Sequence, residues 1–346
     1  MKQLGASKLI FCSALAAVFA AVLATAVATP LPAIAADWKP NRPINLIVPW
    51  AAGGSTDQIT RLTAAQLEPL LGQTIVIVNQ GGASGALGTR SALEATKDGY
   101  TWTAGAAQDL GVYETLGLLK TRITDWHVFT NVANIQVLSV SANSPYKTVK
   151  ELLDAMKAKP GQISVGTAGV TSTGHNAMEA IAKATGVKYR HVPYDGGTPA
   201  VVATVAGETD VTAQSAVEQV DMIRGKRLRP LAVVGDQPLE IEGYGTIPPL
   251  SSVIPGFTAP ANYFGIFIPK GVPDEVVQTL EKIWAQNIVK NEALKKYAVT
   301  RGALFSPLYG EQAQKAVFPA IQLNAWLMFD SNKAKVSPDT IGIPRP

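Results

Sequence analysis

The pattern that most limits the architecture is a unit repeated four times: an apolar run of strand length, a loop of Gly, Ser and Thr, then helical apolar spacing. Residues 44–71 read INLIVPW, AAGGSTD and then a stretch with Ile59, Leu62, Leu67 and Leu70 on one face, and Ser55 and Gln58 stand in capping-box register. Residues 74–95 repeat it as TIVIVN, GGASGALG and TRSALEA. In residues 162–185, QISVGTAGVTSTGHNAMEAIAKAT, Thr171 or Ser172 can cap a helix carrying Met178 and Ile181. In residues 188–207, KYRHVPYDGGTPAVVATVAG, Thr198 suits an N-cap, Pro199 the first helical position and Gly207 the end. Alternating strands and helices predict an α/β fold with a parallel sheet covered on both faces. Ligands in such folds bind beyond the carboxyl ends of the strands, where these four loops fall.

Each helix starts with backbone N–H groups that lack an intrahelical partner, and its dipole adds about half a positive charge there. Anions are the natural ligands of such ends. Glycines admit close approach, and Ser or Thr hydroxyls add donors. The chain thus offers two pairs of anion-receiving loops about a hundred residues apart, and two lobes facing one cleft would bring them together. No loop carries a dinucleotide fingerprint or the Gly-Lys-Ser/Thr of a P-loop.

Composition narrows the partners. Over 346 residues, Lys and Arg number 30 against 26 Asp and Glu, a formal +4, and only 16% of residues are charged. That balance, with no long basic stretch, excludes nucleic-acid binding. Apolar residues at 47% exclude a disordered chain. Lys2 and Lys8 precede an apolar run from Leu9 to Ala28, followed by Ala33-Ile34-Ala35. This is the three-part pattern of a secretory signal peptide over residues 1–35 with cleavage after Ala35; an uncleaved anchor is the competing reading. Two lysines and no acids leave with it, taking the formal charge to +2 over 311 residues. Cys12, the only cysteine, leaves as well, so disulfides, thiolate catalysis and cysteine metal sites are excluded from the mature chain.

The segments RPINLIVPWAAGGSTD, VNQGGASGALG, DGYTW, PGQISVGTAGVTSTGH, HVPYDGGTPA and FGIFIPKGVPDEVV, in this order, resemble the solute-binding proteins of tripartite tricarboxylate transporters, the Bug receptors. The resemblance runs from about Trp38 to the C-terminus. It implies a two-lobed periplasmic binding protein of the Venus-flytrap type II class, with no cofactor. Such a receptor would act as a monomer that closes on a small-molecule carboxylate and delivers it to membrane permease subunits. It places Trp50, Gly53, Gly54, Ser55, Thr56, Asp57, Gly82, Ala83, Ser84 and Gly85 on one wall of the cleft. Thr167, Ala168, Thr171, Ser172, His175, Tyr194 and Asp195 would line or approach the other. Carboxylate recognition by backbone amides and water, usual in the family, matches the helix-end argument above. Trp50 stands where Phe is common, and Asp195 where Lys is common. Facing the cleft, Asp195 would disfavour a second carboxylate; facing solvent, it says nothing of the ligand. Trp50 and Tyr113 either stack on an aromatic acid or pack in the core. AAQDLGVYETL (residues 106–116) and Asn262-Tyr263 are further candidates for ligand selection.

Catalysis finds little support. His175 and Glu179 are spaced i, i+4, but a zinc site needs a third protein ligand and no HExxH occurs. Ser84 or Ser172 with His175 and Asp57 could form a triad, yet no GxSxG elbow is present. The basic run RGKRLR, residues 224–229, reads as a solvated turn or as a contact with permease or lipid. Residues 36–139 and 261–346 are expected to form one discontinuous lobe and residues 140–260 the other, with a first crossing near 138–142. Both linkers of such a hinge bend together on closure. Two other readings remain: a periplasmic hydrolase on the same frame, and a receptor presenting its ligand to a membrane sensor.

Overall fold

The computed structural model describes residues 37–346; the expected signal peptide and its cleavage site lie outside the described residues. The chain runs through β1 (Ile44–Val48), α1 (Ser55–Leu71), β2 (Ile75–Asn79), α2 (Ala86–Glu94), β3 (Thr101–Ala106), α3 (Ala107–Val112) and β4 (Trp126–Asn134). It continues through β5 (Val137–Ser141), α4 (Val149–Ala158), β6 (Ser164–Thr167), α5 (Thr173–Thr185), β7 (Arg190–Pro193), α6 (Gly197–Ala206), β8 (Val211–Thr212), α7 (Ala216–Arg224) and β9 (Leu228–Val233). A short ribbon, β10 (Leu239–Ile241) and β11 (Gly245–Ile247), precedes β12 (Asn262–Pro269), α8 (Asp274–Gln286), α9 (Glu292–Arg301), β13 (Ala303–Phe305) and α10 (Gly310–Asp330).

Two main sheets result, with orders β13-β4-β12-β3-β1-β2 and β7-β6-β8-β5-β9. In each, three strands run parallel, as strand–loop–helix repeats require: β2, β1 and β3 in the first, β7, β6 and β8 in the second. The sheets are nevertheless mixed rather than wholly parallel. β12 runs antiparallel to β3 and β4, and β5 antiparallel to β8 and β9. These two strands each directly follow a passage from one sheet to the other, so they enter from the opposite end.

The first passage comprises only Ile135 and Gln136, because β5 already pairs with β9 from Val137. That is earlier than the boundary after residue 139 expected from sequence. The run NVANIQVLSV is equally apolar on both sides and offers no marker. The two passages are tied where they meet: Asn262 Nδ2 donates to Gln136 Oε1 at 2.6 Å.

Side-chain alternation at period two explains why both sheets are covered on both faces. Ile44 and Leu46 of β1, with Ile266 and Ile268 of β12, pack beneath α1, α8 and α9; Ile47 and Phe267 point the other way, toward α2, α3 and α10. In the second sheet Leu138 and Val140 meet α4 and α5, whereas Val137 and Val233 meet α6, α7 and the ribbon. Among the described residues no helix is long and apolar enough to cross a membrane.

Candidate functional site

The strands β1, β3, β6 and β8 end at one cleft between the sheets, the location that open α/β architecture favours. From the first sheet come Trp50, Gly54, Ser55 and Thr56 after β1, Ala106 and Asp109 after β3, and Phe264, which pairs with Ala106 in register. From the second come Ala168, Ser172 and Thr173 after β6, Gly197 at the start of α6, Gln214 after β8, and Glu218 in the first turn of α7. Three helices of ten or more residues, α1, α5 and α6, therefore begin here. The enclosed volume is about 30 Å³, room for water but not for an organic acid.

Direct hydrogen bonds hold the walls together. Ser84 Oγ accepts from Val170 N at 3.1 Å, and Thr171 Oγ1 donates to Ser84 O at 2.9 Å. Thr198 Oγ1 donates to Gly53 O at 2.9 Å, and Ala51 N to Asp195 O at 3.2 Å. Ser84 makes its contacts from a left-handed backbone, φ 54, next to Ala83 at φ 48. Such geometry costs a non-glycine residue on the order of 1 kcal/mol and clusters at functional sites.

Glu218 reaches across the cleft, and its Oε1 accepts from Ser55 N at 2.9 Å. The first amide of α1 thus already holds a carboxylate. The same carboxyl dictates the residue at the start of α6, since a Cβ on Gly197 would lie 2.1 Å from Oε1. Burial raises the Glu218 pKa against the opposing bonds from Ser55, and burial pushes Asp109 well above its ordinary value. Asp109 is 4% exposed.

The expected caps need correction. Gly54, not Ser55, is the N-cap of α1, and Gln58 Nε2 binds Gly53 O instead of closing a box. Gly196, not Thr198, is the N-cap of α6, which frees the Thr198 hydroxyl to cross the cleft. Ser172 does cap α5, accepting from His175 N at 3.3 Å, and Gly207 closes α6 in the left-handed region.

Of the residues expected at the site, the cleft brings together Trp50, Gly54, Ser55, Thr56, Ala168 and Ser172. Gly53, Ser84 and Thr171 join the walls at its rim, with Gly82, Ala83 and Gly85 shaping the Ser84 loop. Trp50 packs against Ala168 of the opposite wall, and Tyr113 is buried behind Gly85.

Five residues point elsewhere. Asp57 braces its own loop: burial would raise its pKa, but bonds from Arg61, Gly53 and Asn79 hold the carboxyl below its usual value. Thr167 binds His191, at 2.6 Å. Tyr194 packs beside Gly166, and the Asp195 side chain is exposed to solvent. His175 is turned behind the cleft, with Nδ1 2.8 Å from Val170 O, Nε2 3.1 Å from Lys333 Nζ, and its ring stacked on His191 at 4.1 Å. Burial first, then Lys333, brings its pKa down to about 4; burial and His175 take His191 to about 3. With Ser84 bound to Val170 N and Asp57 bound to Arg61, the imagined triad is not assembled. Two arginines of RGKRLR act as staples. Arg224 donates to Glu242 O and Thr300 O, and Arg229 to Ala142 O, Ser144 O and Tyr146 O.

Sequence reasoning did not single out Thr173, Gly197, Gln214, Glu218 or Phe264. Asp109 fell inside the stretch 106–116, but Glu218 looks like any acid in a first helical turn. Only the meeting of α7 with α1 and α6 gives it meaning.

Two mixed sheets joined by paired passages, facing each other across a cleft of helix starts, define a two-lobed solute-binding fold. The model of the tripartite tricarboxylate transporter family receptor matches residues 59–328, and the chain belongs to that family. It is similar to Protein BugT of Bordetella pertussis, 29% identical over 323 residues that cover 90% of this chain and 95% of that one. It is 32% identical over 273 residues to a protein from the tcbD-tcbE intergenic region of Pseudomonas sp. strain P51, covering 76% and 80%. Among solved structures, a periplasmic transporter protein superposes with TM-score 0.77 at 28% identity over 85% of this chain and 98% of that one. An R. palustris protein solved with adipate superposes with TM-score 0.76 at 25% identity over 86% and 99%. The matched family is one of transporter receptors, and the chain is a solute-binding protein rather than an enzyme.

Proposed function

We propose that the protein is an extracytoplasmic receptor that captures an organic carboxylate in the cleft between its sheets and delivers it to the permease subunits of a tripartite tricarboxylate transporter. The observation that carries this reading is the carboxylate of Glu218 seated on Ser55 N at the start of α1, beside the starts of α5 and α6. The same helix-end chemistry would hold a ligand carboxylate, at the neighbouring helix starts or in place of Glu218 on Ser55 N. The adipate-bound relative supports the same ligand class. Closed as it stands, the cleft admits such a ligand only when the lobes part, bending at Ile135–Gln136 and at the residues before Asn262. In this reading residues 1–35 are the secretion signal, and the receptor works as a monomer in the periplasm.

A thermal-shift panel of the mature chain tests it. A true carboxylate ligand at 100 times its dissociation constant stabilises by about 2.7 kcal/mol. Response to sugars or cations alone, with none to mono-, di- or tricarboxylates, would refute it. Edman sequencing of the exported protein beginning at Ala36 would support the cleavage site.

A further inference from the structure

Within the cleft the polar side chains are unequally satisfied. Asp109 Oδ1 and Glu218 Oε2, from opposite walls, are sealed from solvent and have no hydrogen-bond partner, and neither does Gln214 Nε2. Asp109 and Gln214 are 4% and 2% exposed. Buried polar atoms of this kind are ordinarily bonded, and these three belong to residues that line one cleft, where a partner from outside the chain can reach them. Two orphan acceptors call for donors. The remaining lining residues include no Lys, Arg or His, and two of them, Trp50 and Phe264, are aromatic. A second carboxylate on the ligand would meet two acids and no cation. An ammonium group would meet two acceptors and aromatic rings whose faces attract cations.

We propose that the ligand is an amino-carboxylate: its carboxylate lies on the helix-end amides with Gln214, and its ammonium lies between Asp109 and Glu218. This rests on the carboxylate reading above and narrows it to zwitterions. Burial raises the pKa of both acids, and an arriving ammonium opposes that by favouring their ionised form. Asp109 and Glu218 thus act as specificity determinants by discriminating against dianions. Asp195, the acid for which sequence reasoning left such a role open, is exposed outside the cleft.

The test is calorimetric titration of the mature chain with length-matched pairs: succinate against 4-aminobutanoate, glutarate against 5-aminopentanoate, adipate against 6-aminohexanoate, together with aspartate and glutamate. The expected result is that at least one amino-carboxylate binds tenfold or more tighter than its dicarboxylate counterpart. Asp109→Asn and Glu218→Gln, checked for folding by circular dichroism, should each weaken that amino-carboxylate at least tenfold more than they weaken its dicarboxylate counterpart. If dicarboxylates bind and amino-carboxylates do not, the zwitterion proposal is wrong and the carboxylate reading stands. If no carboxylate of either kind binds, both fall. Should the variants fail to fold, the wild-type comparison alone decides.

Discussion

Replacing Lys333 with Met should cost about 2 kcal/mol, through a contact remote from the cleft. Lys333 follows α10 and reaches into the second sheet's helices, where Nζ lies 2.5 Å from Glu179 Oε1 and 3.1 Å from His175 Nε2. Glu179 is 6% exposed and also accepts from Tyr189 Oη, at 2.5 Å. Stranding a fully buried charge costs roughly 3–5 kcal/mol, whereas a surface pair contributes about 0–1. The Lys333 side chain is 38% exposed, so solvent screens its half of the pair, and Tyr189 continues to serve Glu179. An intermediate loss of about 2 kcal/mol follows, or a melting temperature lower by roughly 3 °C for a chain of this size. Lys333 also helps depress the His175 pKa, so in the variant His175 gains a proton more readily and partly replaces the lost cation beside Glu179. Urea unfolding at pH 7.5 and 5.5 reads both effects: the deficit should be about 2 kcal/mol at the higher pH and clearly smaller at the lower. A deficit below about 0.5 kcal/mol at pH 7.5, or one that grows on acidification, would refute this account of the cluster.

Further outcomes follow from the same geometry. His175 and His191 have folded pKa values near 4 and 3, below the ordinary 6.5, so both bind protons more readily when unfolded. Their contribution is complete above pH 6.5 and declines as pH falls, by up to about 1.4 kcal/mol per unit per group; His191→Phe should flatten the pH 4–6.5 limb of a urea-derived stability profile. Gly197→Ala, at the first position of α6 where helix propensity counts little, should force the Glu218 carboxyl off Ser55 N and lose a charge-assisted bond of about 1.5–3 kcal/mol. Glu218→Ala in the same background should abolish that penalty in a double-mutant cycle. Ser84→Gly should relieve left-handed strain of about 1 kcal/mol and forfeit a cross-wall bond of similar size, so the melting point should barely move. Small-angle scattering should nevertheless show a more open unliganded form.

Much of the frame was legible because it rests on local chemistry. The four strand–loop–helix units appear where the apolar runs and Gly-rich loops put them, and Ser172 and Gly207 punctuate their helices as expected. What local pattern could not tell was direction and partnership. Strands β5 and β12 look like their parallel neighbours in sequence, and only the route of the chain between sheets reverses them. At the site, loops were readable because glycine and hydroxyl residues have few other uses together. Asp57 and His175 looked equally functional but are satisfied elsewhere, by Arg61 and Asn79 and by Val170 and Lys333. Glu218 was invisible because its role depends on a neighbour 163 residues away in sequence.

The most direct measurement of the central claim is a co-crystal structure with whichever carboxylate gives the largest thermal shift. The account predicts a ligand carboxylate 2.7–3.1 Å from backbone N–H groups in the first turns of α1, α5 or α6, with the two sheets' walls closed around it. A carboxylate bound elsewhere, for instance beside Lys333 and His191, with the cleft unchanged, would contradict it.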